Sequence, residues 1–391
     1  DLAQDALVDA LRQWPREGAP RNPGAWLTTV GKRRAVDLFR RNRLQTEKYA
    51  QLGRELERAV ARADDGDDRA AFEDESMDEI ADDRLRLMFV SCHPVLSTDA
   101  RTALTLRLLG GLTTEEIARA FLVPVPTIAQ RIVRAKRTLT EARVPFEVPR
   151  GAERAARLSS VLEVIYLIFN EGYSATAGDD WVRPALCEDA LRLGRILAEL
   201  APQEPEVHGL VALMEIQASR LGARVGPAGE PVLLLDQDRA RWDHLLIRRG
   251  LAALERAEAF GGALGPYGLQ AAIAACHARA LTAEETDWTR ITALYDALAQ
   301  LAPSPVVELN RGVAFAMAFG PAAGLEIVDA LTSEPSLKDY HLLPSVRGDL
   351  LAKLGRFEEA RAEIERAAAL TRNARERKLL LDRAKNLTDG S

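Results

Sequence analysis

Cysteine and histidine are scarce in this 391-residue chain, which contains three Cys and five His. A sparse, odd set of cysteines excludes a disulfide framework and fits a reducing cytoplasm, so we expect the thiols to lie buried in the core. Five histidines leave little acid–base capacity near neutral pH. No apolar run approaches the roughly 18–20 residues of a membrane-spanning helix, and no signal peptide opens the chain, so we expect a cytoplasmic protein with no membrane partner.

The motifs of common cofactor and metal enzymes are also missing. The sequence contains no Gly-rich phosphate loop, no His-Glu-x-x-His and no Cys pair at zinc spacing. Cys92-His93 and Cys276-His277 are adjacent pairs, and adjacent residues on a helix rarely bind one metal together. We therefore expect no catalytic residue, no cofactor and no metal. An enzyme in the C-terminal part remains a third alternative, which a bound metabolite would favour.

Alternating β-branched residues, the mark of strands, are absent as well. Apolar residues recur at three- and four-residue spacing almost everywhere, which predicts an all-α protein. At roughly 150 residues per domain, the length suggests two or three domains. The sequence begins at Asp1 rather than at Met, so we expect the natural start to lie upstream.

Charge is distributed unevenly along the chain. The whole sequence carries a net charge of -6, but residues 1–45 carry +4, residues 46–86 carry -7 and residues 101–143 carry +5. Two basic modules therefore flank an acidic connector. Such a connector is either a solvated linker or a segment that keeps the basic modules off itself and off non-specific DNA.

Two short helices are predicted at the start of the second basic module. Ser97 or Thr98 can cap a helix over Asp99–Leu109, which Gly110-Gly111 would end. A second helix covers Leu112–Phe121, where threonines precede two acidic residues as at many helix N-termini.

A break at Leu122-Val123-Pro124 leads into a third helix, from about Pro126 to Leu139. Its apolar stripe is predicted to consist of Ile128, Ile132, Ala135 and Leu139. The opposite face is polar and basic. Two short helices, a tight turn and a third helix with such a face indicate a helix-turn-helix.

The polar face of this third helix suits contact with DNA. Thr127 and Gln130 have the size and chemistry to contact base edges. Arg131 and Arg134 can contact guanine or phosphate, and Lys136 and Arg137 are expected to contact the DNA backbone. A solvated basic face on a bundle helix is the alternative. The predicted DNA-contacting residues are Thr127, Gln130, Arg131, Arg134, Lys136 and Arg137.

The helix-turn-helix and the segments before it resemble those of a known family. The stretch Gly111–Ala118, followed by Val123–Arg131 and Arg134–Lys136, is similar to the fourth-region helix-turn-helix of extracytoplasmic-function sigma factors. Upstream, Gln4–Leu11 resembles the second-region helix that docks on the clamp helices of the polymerase β′ subunit. The segment from Asn22 to Leu38 resembles the helix beside the −10 element. The resemblance covers about residues 1–142.

The resemblance implies two further sets of functional residues. Core RNA polymerase, through its β′ and β subunits, would be held by Gln4, Asp5 and Asp9. A loop would hold a flipped −10 base and the next helix would meet the opened strand, through Arg16, Glu17, Arg21, Asn22, Lys32 and Arg33. An ordinary polar loop is the alternative for the first four of these. The family's helix before Asp1 is absent, so the second-region domain is expected to be incomplete as given.

Residues 150–391 read as a succession of helical hairpins. The spacing from Gly348 to Ala367 resembles a tetratricopeptide repeat, and Leu197–Pro202 recurs as Leu298–Pro303 at an offset of 101 residues. Gly222–Glu230 is predicted to be a loop that interrupts the array. We expect a tetratricopeptide-like α-solenoid, which resembles the C-terminal extension of one subgroup of these sigma factors.

Two polar clusters in this extension are candidates for a regulatory interface. They form either an effector pocket or a docking face for the sigma domains, or they only cap and connect helices. Concave solenoid faces usually bind peptides or proteins, so a protein or ligand partner is expected. The candidate residues are Asn170, Glu171, Tyr173, Asp236, Gln237, Arg239 and Trp242.

Taken together, the sequence predicts two small helical domains that bind DNA and polymerase, followed by the solenoid. The predicted divisions are 1–45 (second region), 46–86 (acidic linker), 87–145 (fourth region) and 150–391 (regulatory domain). We expect a sigma factor that directs core RNA polymerase to promoter DNA and is controlled by its extension. The alternative is a polymerase-independent helix-turn-helix regulator, or a scaffold whose solenoid binds a protein.

Overall fold

The computed structural model describes residues 85–387, except 111, 122, 176 and 228. Of the described residues, all except 140–143 belong to one compact unit. The prediction of an all-α protein is confirmed, because the regular structure of this part is almost entirely helical.

The N-terminal helices of the described part form the helix-turn-helix region. Residues 85–91 are helical. Ser97, one of the two predicted caps, begins the next helix by accepting a hydrogen bond from the backbone N–H of Ala100. The following helices are α1 (Thr98–Thr105), a π-helical turn (Leu106–Gly110), α2 (Thr114–Ala120) and α3 (Val125–Glu141).

The π-helical turn corrects the prediction of one α-helix from Asp99 to Leu109. The chain folds back after this turn, and the backbone N–H of Leu112 donates to the carbonyl of Leu106 at 3.2 Å. The Arg107 guanidinium donates to the Leu112 carbonyl at 2.9 Å. These bonds hold the returning backbone against a widened last turn, a form that α-helical periodicity alone does not reveal.

Eleven further helices follow in the described residues. Between α6 and α7 the chain forms three 3-10 turns, and the predicted loop at Gly222–Glu230 lies within this stretch. Each described helix lacks either the length or the apolar character needed to cross a membrane. The helices are α4 (Gly151–Tyr173), α5 (Pro184–Leu200), α6 (Pro205–Ala218), α7 (His244–Ala259), α8 (Pro266–Arg279), α9 (Trp288–Leu301), α10 (Pro305–Phe319), α11 (Pro321–Ala330), α12 (Leu342–Lys353), α13 (Phe357–Leu370) and α14 (Ala374–Asn386).

These helices pack mainly against their neighbours in sequence, as in a series of helical hairpins. Helix α6 also packs on α8, where two glycines allow a close crossing. A Cβ added at Gly209 would lie 2.7 Å from the backbone nitrogen of Gly268. Likewise, a Cβ at Gly348 on α12 would lie 2.7 Å from Cγ1 of Ile364 on α13. Small residues at these crossings bring the helix backbones close together.

The repeated sequences Leu197–Pro202 and Leu298–Pro303 adopt the same local structure. Each ends a helix, α5 or α9, and in each the residue after that helix donates its N–H to a carbonyl four residues back at 2.8 Å. A helix with proline in its first turn, α6 or α10, follows both copies. The recurrence in sequence is therefore a recurrence of one helix–turn–helix connection.

The C-terminal helix is tied to the segment after α4. Two short strands, β1 (Ala177–Gly178) and β2 (Arg372–Asn373), pair in parallel. The buried side chain of Asn373 donates to the carbonyls of Ala175 and Asp180 at 3.1 and 2.8 Å. It also caps α14 by accepting from two backbone N–H groups.

The cysteines are buried thiols, as the sequence predicts. Cys92, Cys187 and Cys276 are all free and buried. Burial raises the pKa of Cys92 to about 11 and that of Cys187 to about 12. Thiols of this kind are protonated near neutral pH and act as small apolar groups.

Candidate nucleic-acid interface

The turn between α2 and α3 determines the direction of the third helix. The backbone N–H of Val123 donates to the carbonyl of Ala118 at 3.0 Å, which closes the end of α2. The Pro124 carbonyl then accepts from the N–H of Thr127 at 2.9 Å and opens α3. Proline suits the first turn of a helix because its missing N–H has no intrahelical partner there. The predicted short helix, break and third helix are thus present.

The inner face of α3 is the predicted apolar stripe. Ile128, Ile132, Ala135 and Leu139 are all buried. Their spacing of three and four residues places them along one side of the helix. The opposite side of α3 is therefore left toward solvent.

The outer face of α3 carries most of the residues predicted to contact DNA. Gln130, Arg134 and Arg137 are exposed, while Thr127 and Lys136 are half-buried at its margins. Val133 lies on the same face and is 66% exposed, although apolar residues of its size are usually covered. Val133 is not among the residues predicted to contact DNA, but its position three residues after Gln130 places it on this face.

Arg131 differs from the other predicted contacts. Its guanidinium lies 2.9 Å from the Asp99 carboxylate on α1, and a third of its side chain is exposed. Arg131 and Asp99 also line a cavity of about 200 Å³ together with Asn170 and Glu171 of α4. The structure therefore places Arg131 between helices, apart from the open row formed by Gln130 and Arg134.

The charge of α3 suits a polyanion. From Val125 to Thr140 the helix has four cations and no acidic residue. Two of the cations, Arg134 and Arg137, stand on the open face. Lys and Arg that neutralise phosphates release counterions, which gives nucleic-acid binding its dependence on salt. The geometry is that of a helix whose base-reading and phosphate-binding groups are presented together.

Three arginines connect the helix-turn-helix region to α4 and α5. Arg101 of α1 is paired with Glu163 at 3.0 Å. Arg157 of α4 is buried and donates to the Phe89 carbonyl at 3.1 Å. Arg192 of α5 donates to the Leu109 and Gly110 carbonyls at 3.3 and 2.9 Å. Sequence reasoning missed these contacts, since an arginine on an amphipathic helix gives no indication of a partner about 60 to 90 positions away.

The candidate regulatory residues at the end of α4 are placed differently from one another. Asn170 is exposed, whereas Glu171 is buried and paired with Arg183. Tyr173 is half-buried, with the Arg224 guanidinium 3.8 Å from the centre of its ring. The Glu171 pair holds the segment after α4 in place, which is a structural role.

The other candidate regulatory residues lie in, or directly after, two 3-10 turns before α7. Asp236 is exposed, whereas Gln237 is buried and donates to the Val232 carbonyl at 3.1 Å. Arg239 donates to two carbonyls and to a threonine hydroxyl, and lies 4.8 Å from the ring of buried Trp242. Arg220 connects the two groups, at 5.8 Å from the Tyr173 ring and 5.7 Å from the Trp242 ring.

The residues predicted to meet polymerase and the −10 element lie outside the described residues. They are Gln4, Asp5, Asp9, Arg16, Glu17, Arg21, Asn22, Lys32 and Arg33. Their roles remain predictions from the sequence.

Comparison with known families agrees with this geometry. Residues 86–139, which contain the helix-turn-helix, match the family model of sigma-70 region 4. Residues 1–45 match sigma-70 region 2. Residues 157–258, from α4 to α7, match a family of unknown function (DUF6596).

One similar protein spans almost the whole chain. An uncharacterized protein of Rhizobium meliloti (strain 1021) is 45% identical over 375 residues, which cover 95% of this chain and 86% of the relative. The similarity therefore includes the C-terminal helices as well as the two sigma regions. The chain belongs to one family with this Rhizobium meliloti protein, and its sigma-70 regions 2 and 4 make it a sigma factor.

Proposed function

We propose that this sigma factor is of the extracytoplasmic-function type and directs core RNA polymerase to promoters by recognising a −10 and a −35 element. Its C-terminal helices, a tetratricopeptide-like domain, control that activity. The observation that carries the proposal is the open face of α3, where Gln130, Arg134 and Arg137 are exposed along a helix segment without acidic residues.

In this proposal α3 reads the −35 element in the major groove. Thr127 and Gln130, near the N-terminal end of the helix, contact base edges, and Arg134 and Arg137 contact guanine or phosphate. Each good side-chain contact to a base discriminates by about 1–3 kcal/mol. The exposed Val133 lies between these groups and suits a thymine methyl, the apolar feature of the major groove.

The first 45 residues supply the polymerase and −10 contacts. Their net charge of +4 suits an opened, single-stranded region of the promoter. Gln4, Asp5 and Asp9 bind the β′ subunit, and Arg16 to Asn22 hold an unstacked base. Flipping that base costs a few kcal/mol, which polymerase binding and base stacking offset.

Control by the extension is supported by the three arginine contacts between the helix-turn-helix region and the helices α4 and α5. Arg101, Arg157 and Arg192 join the extension to α1, to Phe89 and to the π-helical turn at separate points, and through these points the extension would act on the helix-turn-helix region. The paired helices α12 and α13, which cross closely at Gly348, support a tetratricopeptide-like arrangement. The chain acts in binding rather than catalysis, and it works in the cytoplasm.

A transcription assay with purified core polymerase tests the proposal. The full natural chain, mixed with core polymerase and a genomic promoter library, is expected to give promoter-dependent run-off transcripts. Footprinting of that holoenzyme is expected to show two protected stretches, and Arg134→Ala should weaken protection of the upstream one. Lys353→Ala, on a helix far along the chain from α3, is the control and should leave both unchanged.

Two results would contradict this function. No transcript from any promoter would exclude a promoter-specificity role. Equal binding to DNA with and without polymerase, together with normal function after loss of residues 1–45, would instead identify a polymerase-independent regulator.

A further inference from the structure

A cavity lies inside the C-terminal helices, apart from the nucleic-acid interface. Its volume is about 270 Å³, just below the roughly 300–1,000 Å³ found for small-molecule sites. Helices α4, α6, α8, α9 and α10 contribute to its wall. All of them belong to the same compact unit, so the cavity is a feature of one folded body.

The wall of this cavity combines rings with polar groups. Tyr166, Phe169 and Tyr295 provide a broad apolar surface. Burial raises the pKa of Tyr295 to about 12, so its hydroxyl is neutral. Amide side chains are contributed by Gln217, Gln270 and Asn310. A wall that combines ring surfaces with several polar groups suits a small molecule that has both an apolar and a polar part.

Three polar atoms at this wall are buried without a hydrogen-bond partner in the described part of the chain. They are Nε of Arg220, Oε1 of Gln217 and Nδ1 of His277. Buried polar atoms are nearly always hydrogen-bonded, and each orphan costs about 1–3 kcal/mol. Three side chains with an unsatisfied polar atom thus surround one cavity, and their remaining polar atoms are the groups that an occupant could contact.

Arg220 sets the charge of the expected occupant. Only 6% of this residue is exposed, and among the described residues no carboxylate forms an ion pair with it. Around its guanidinium lie the rings of Tyr173 and Trp242 and two further arginines, Arg224 and Arg239, whose charges are of the same sign. A buried cation without a counter-charge is costly, and an anion removes that cost.

His277 adds a neutral group to the same wall. Burial, together with the positive charges of Arg220 and Arg239, lowers its pKa to about 3. Its imidazole is therefore uncharged at neutral pH, so it can accept or donate one hydrogen bond without a charge of its own. The fixed charge that lines the cavity is thus that of Arg220.

We propose that this cavity binds a small molecule that carries a carboxylate or phosphate group on an apolar, ring-sized body. The anionic group lies on the guanidinium of Arg220, and the amide of Gln217 and the ring of His277 hydrogen-bond the polar part of the ligand. The apolar body lies against Tyr166, Phe169 and Tyr295. This binding does not depend on the proposed role in transcription.

Four simple probes test the ligand class by thermal unfolding of the full chain. Benzoate and phenyl phosphate carry the two candidate anions on one ring, benzamide is the neutral match of benzoate, and inorganic phosphate lacks the ring. At a concentration about ten times a probe's Kd, a bound probe is expected to raise Tm by roughly 2 °C. We expect a rise with benzoate or phenyl phosphate and none with benzamide.

The comparison of the two anions identifies which anionic group the ligand carries. A larger shift with benzoate assigns a carboxylate ligand, and a larger shift with phenyl phosphate assigns a phosphate ligand. Equal shifts with benzoate and benzamide, or no shift with either ring-bearing anion at about 10 mM, would overturn the proposal, because the guanidinium would then contribute nothing.

Substitutions locate the binding within the molecule. Arg220→Met keeps the side-chain volume but removes the charge, so it is expected to abolish the anion-dependent shift without lowering Tm of the ligand-free chain. Arg248→Met, at an exposed position on α7, is the matched control and should retain the full shift. If Arg220→Met retained the shift, Arg220 would not bind the anion. If the substitution unfolded the ligand-free chain, the role of Arg220 would be structural. Either result would contradict the proposal.

A second variant provides an independent measure of the same site. Gln217→Met removes the orphan oxygen, so the ligand-free chain should fold normally. Its affinity for the anionic probe, measured by calorimetry, is expected to fall severalfold. An unchanged affinity would exclude this side chain from the site and contradict the proposed arrangement.

Discussion

Replacing Arg192 by Met should loosen the helix-turn-helix region from the C-terminal helices. The Arg192 guanidinium donates to the Leu109 and Gly110 carbonyls at 3.3 and 2.9 Å, and it is also paired with Asp189. Hydrogen bonds from charged donors contribute about 1.5–3 kcal/mol each. Because a third of this side chain is exposed, solvent screening lowers that sum, and we expect a loss of about 1–3 kcal/mol.

This loss should appear in both stability and local exchange. The entropy of unfolding grows with chain length, so a loss of 1 kcal/mol lowers the Tm of a chain of this length by about 1 °C, and Arg192→Met should lower Tm by about 1–4 °C. Amide hydrogens of the π-helical turn (Leu106–Gly110) should exchange faster, while those of α13 should not change. Thermal unfolding and hydrogen exchange monitored by mass spectrometry measure the two effects.

A matched variant separates this contact from the general effect of removing an arginine. Arg361 lies on α13 and forms an exposed ion pair with Glu365 on the same helix. Arg361→Met should therefore leave Tm and the exchange of the π-helical turn unchanged. Equal behaviour of the two variants would refute the reasoning, because Arg192 would then contribute no more than an exposed surface charge.

Three further predictions follow from other parts of the structure. Gly209→Ala should lower the free energy of unfolding in denaturant by about 1–3 kcal/mol, because its Cβ would lie 2.7 Å from a backbone nitrogen. Gly262→Ala is the control and should be neutral, because the space around Gly262 is open. Arg134→Ala should reduce the salt dependence of promoter binding by the holoenzyme by about one unit of slope, and an unchanged slope would exclude a phosphate contact. Burial and nearby arginines lower the pKa of His277 to about 3, whereas the unfolded chain binds this proton near pH 6.5. The free energy of unfolding therefore falls as pH drops from about 6.5. In denaturant unfolding, His277→Gln should reduce the fall between pH 7 and pH 5 by about 2 kcal/mol.

The helix-turn-helix could be predicted from the sequence because local signals agree there. The apolar residues of α3 recur at helical spacing, prolines mark the turn before it, and Ser97 caps α1. Each of these signals acts within a few residues, so periodicity and capping are enough to find them. The buried cysteines and the repeated turns after α5 and α9 were predictable for the same reason.

The contacts between distant helices could not be predicted in this way. Arg131 and Arg134 are both cations on the polar side of α3, but only the former is paired with Asp99 of α1. Arg220 follows a buried helix without any motif, and its lack of an ion pair is visible only when the helices around it are in place. Local sequence determines which side of a helix is polar, whereas the partner of each polar group depends on packing between helices.

Helix α4 contacts both the cavity and the helix-turn-helix region. Arg157 and Glu163 contact the helix-turn-helix region, at Phe89 and Arg101. Tyr166, Asn170 and Tyr173 line the cavity, at spacings of four and three residues that follow one face of the helix. Because the two sets lie on a single continuous helix, we expect an occupant of the cavity that shifts α4 to change the contacts with Phe89 and Arg101. Coupling between the two sites therefore requires movement of only this one element, and the Arg101–Glu163 distance is the quantity that reports it.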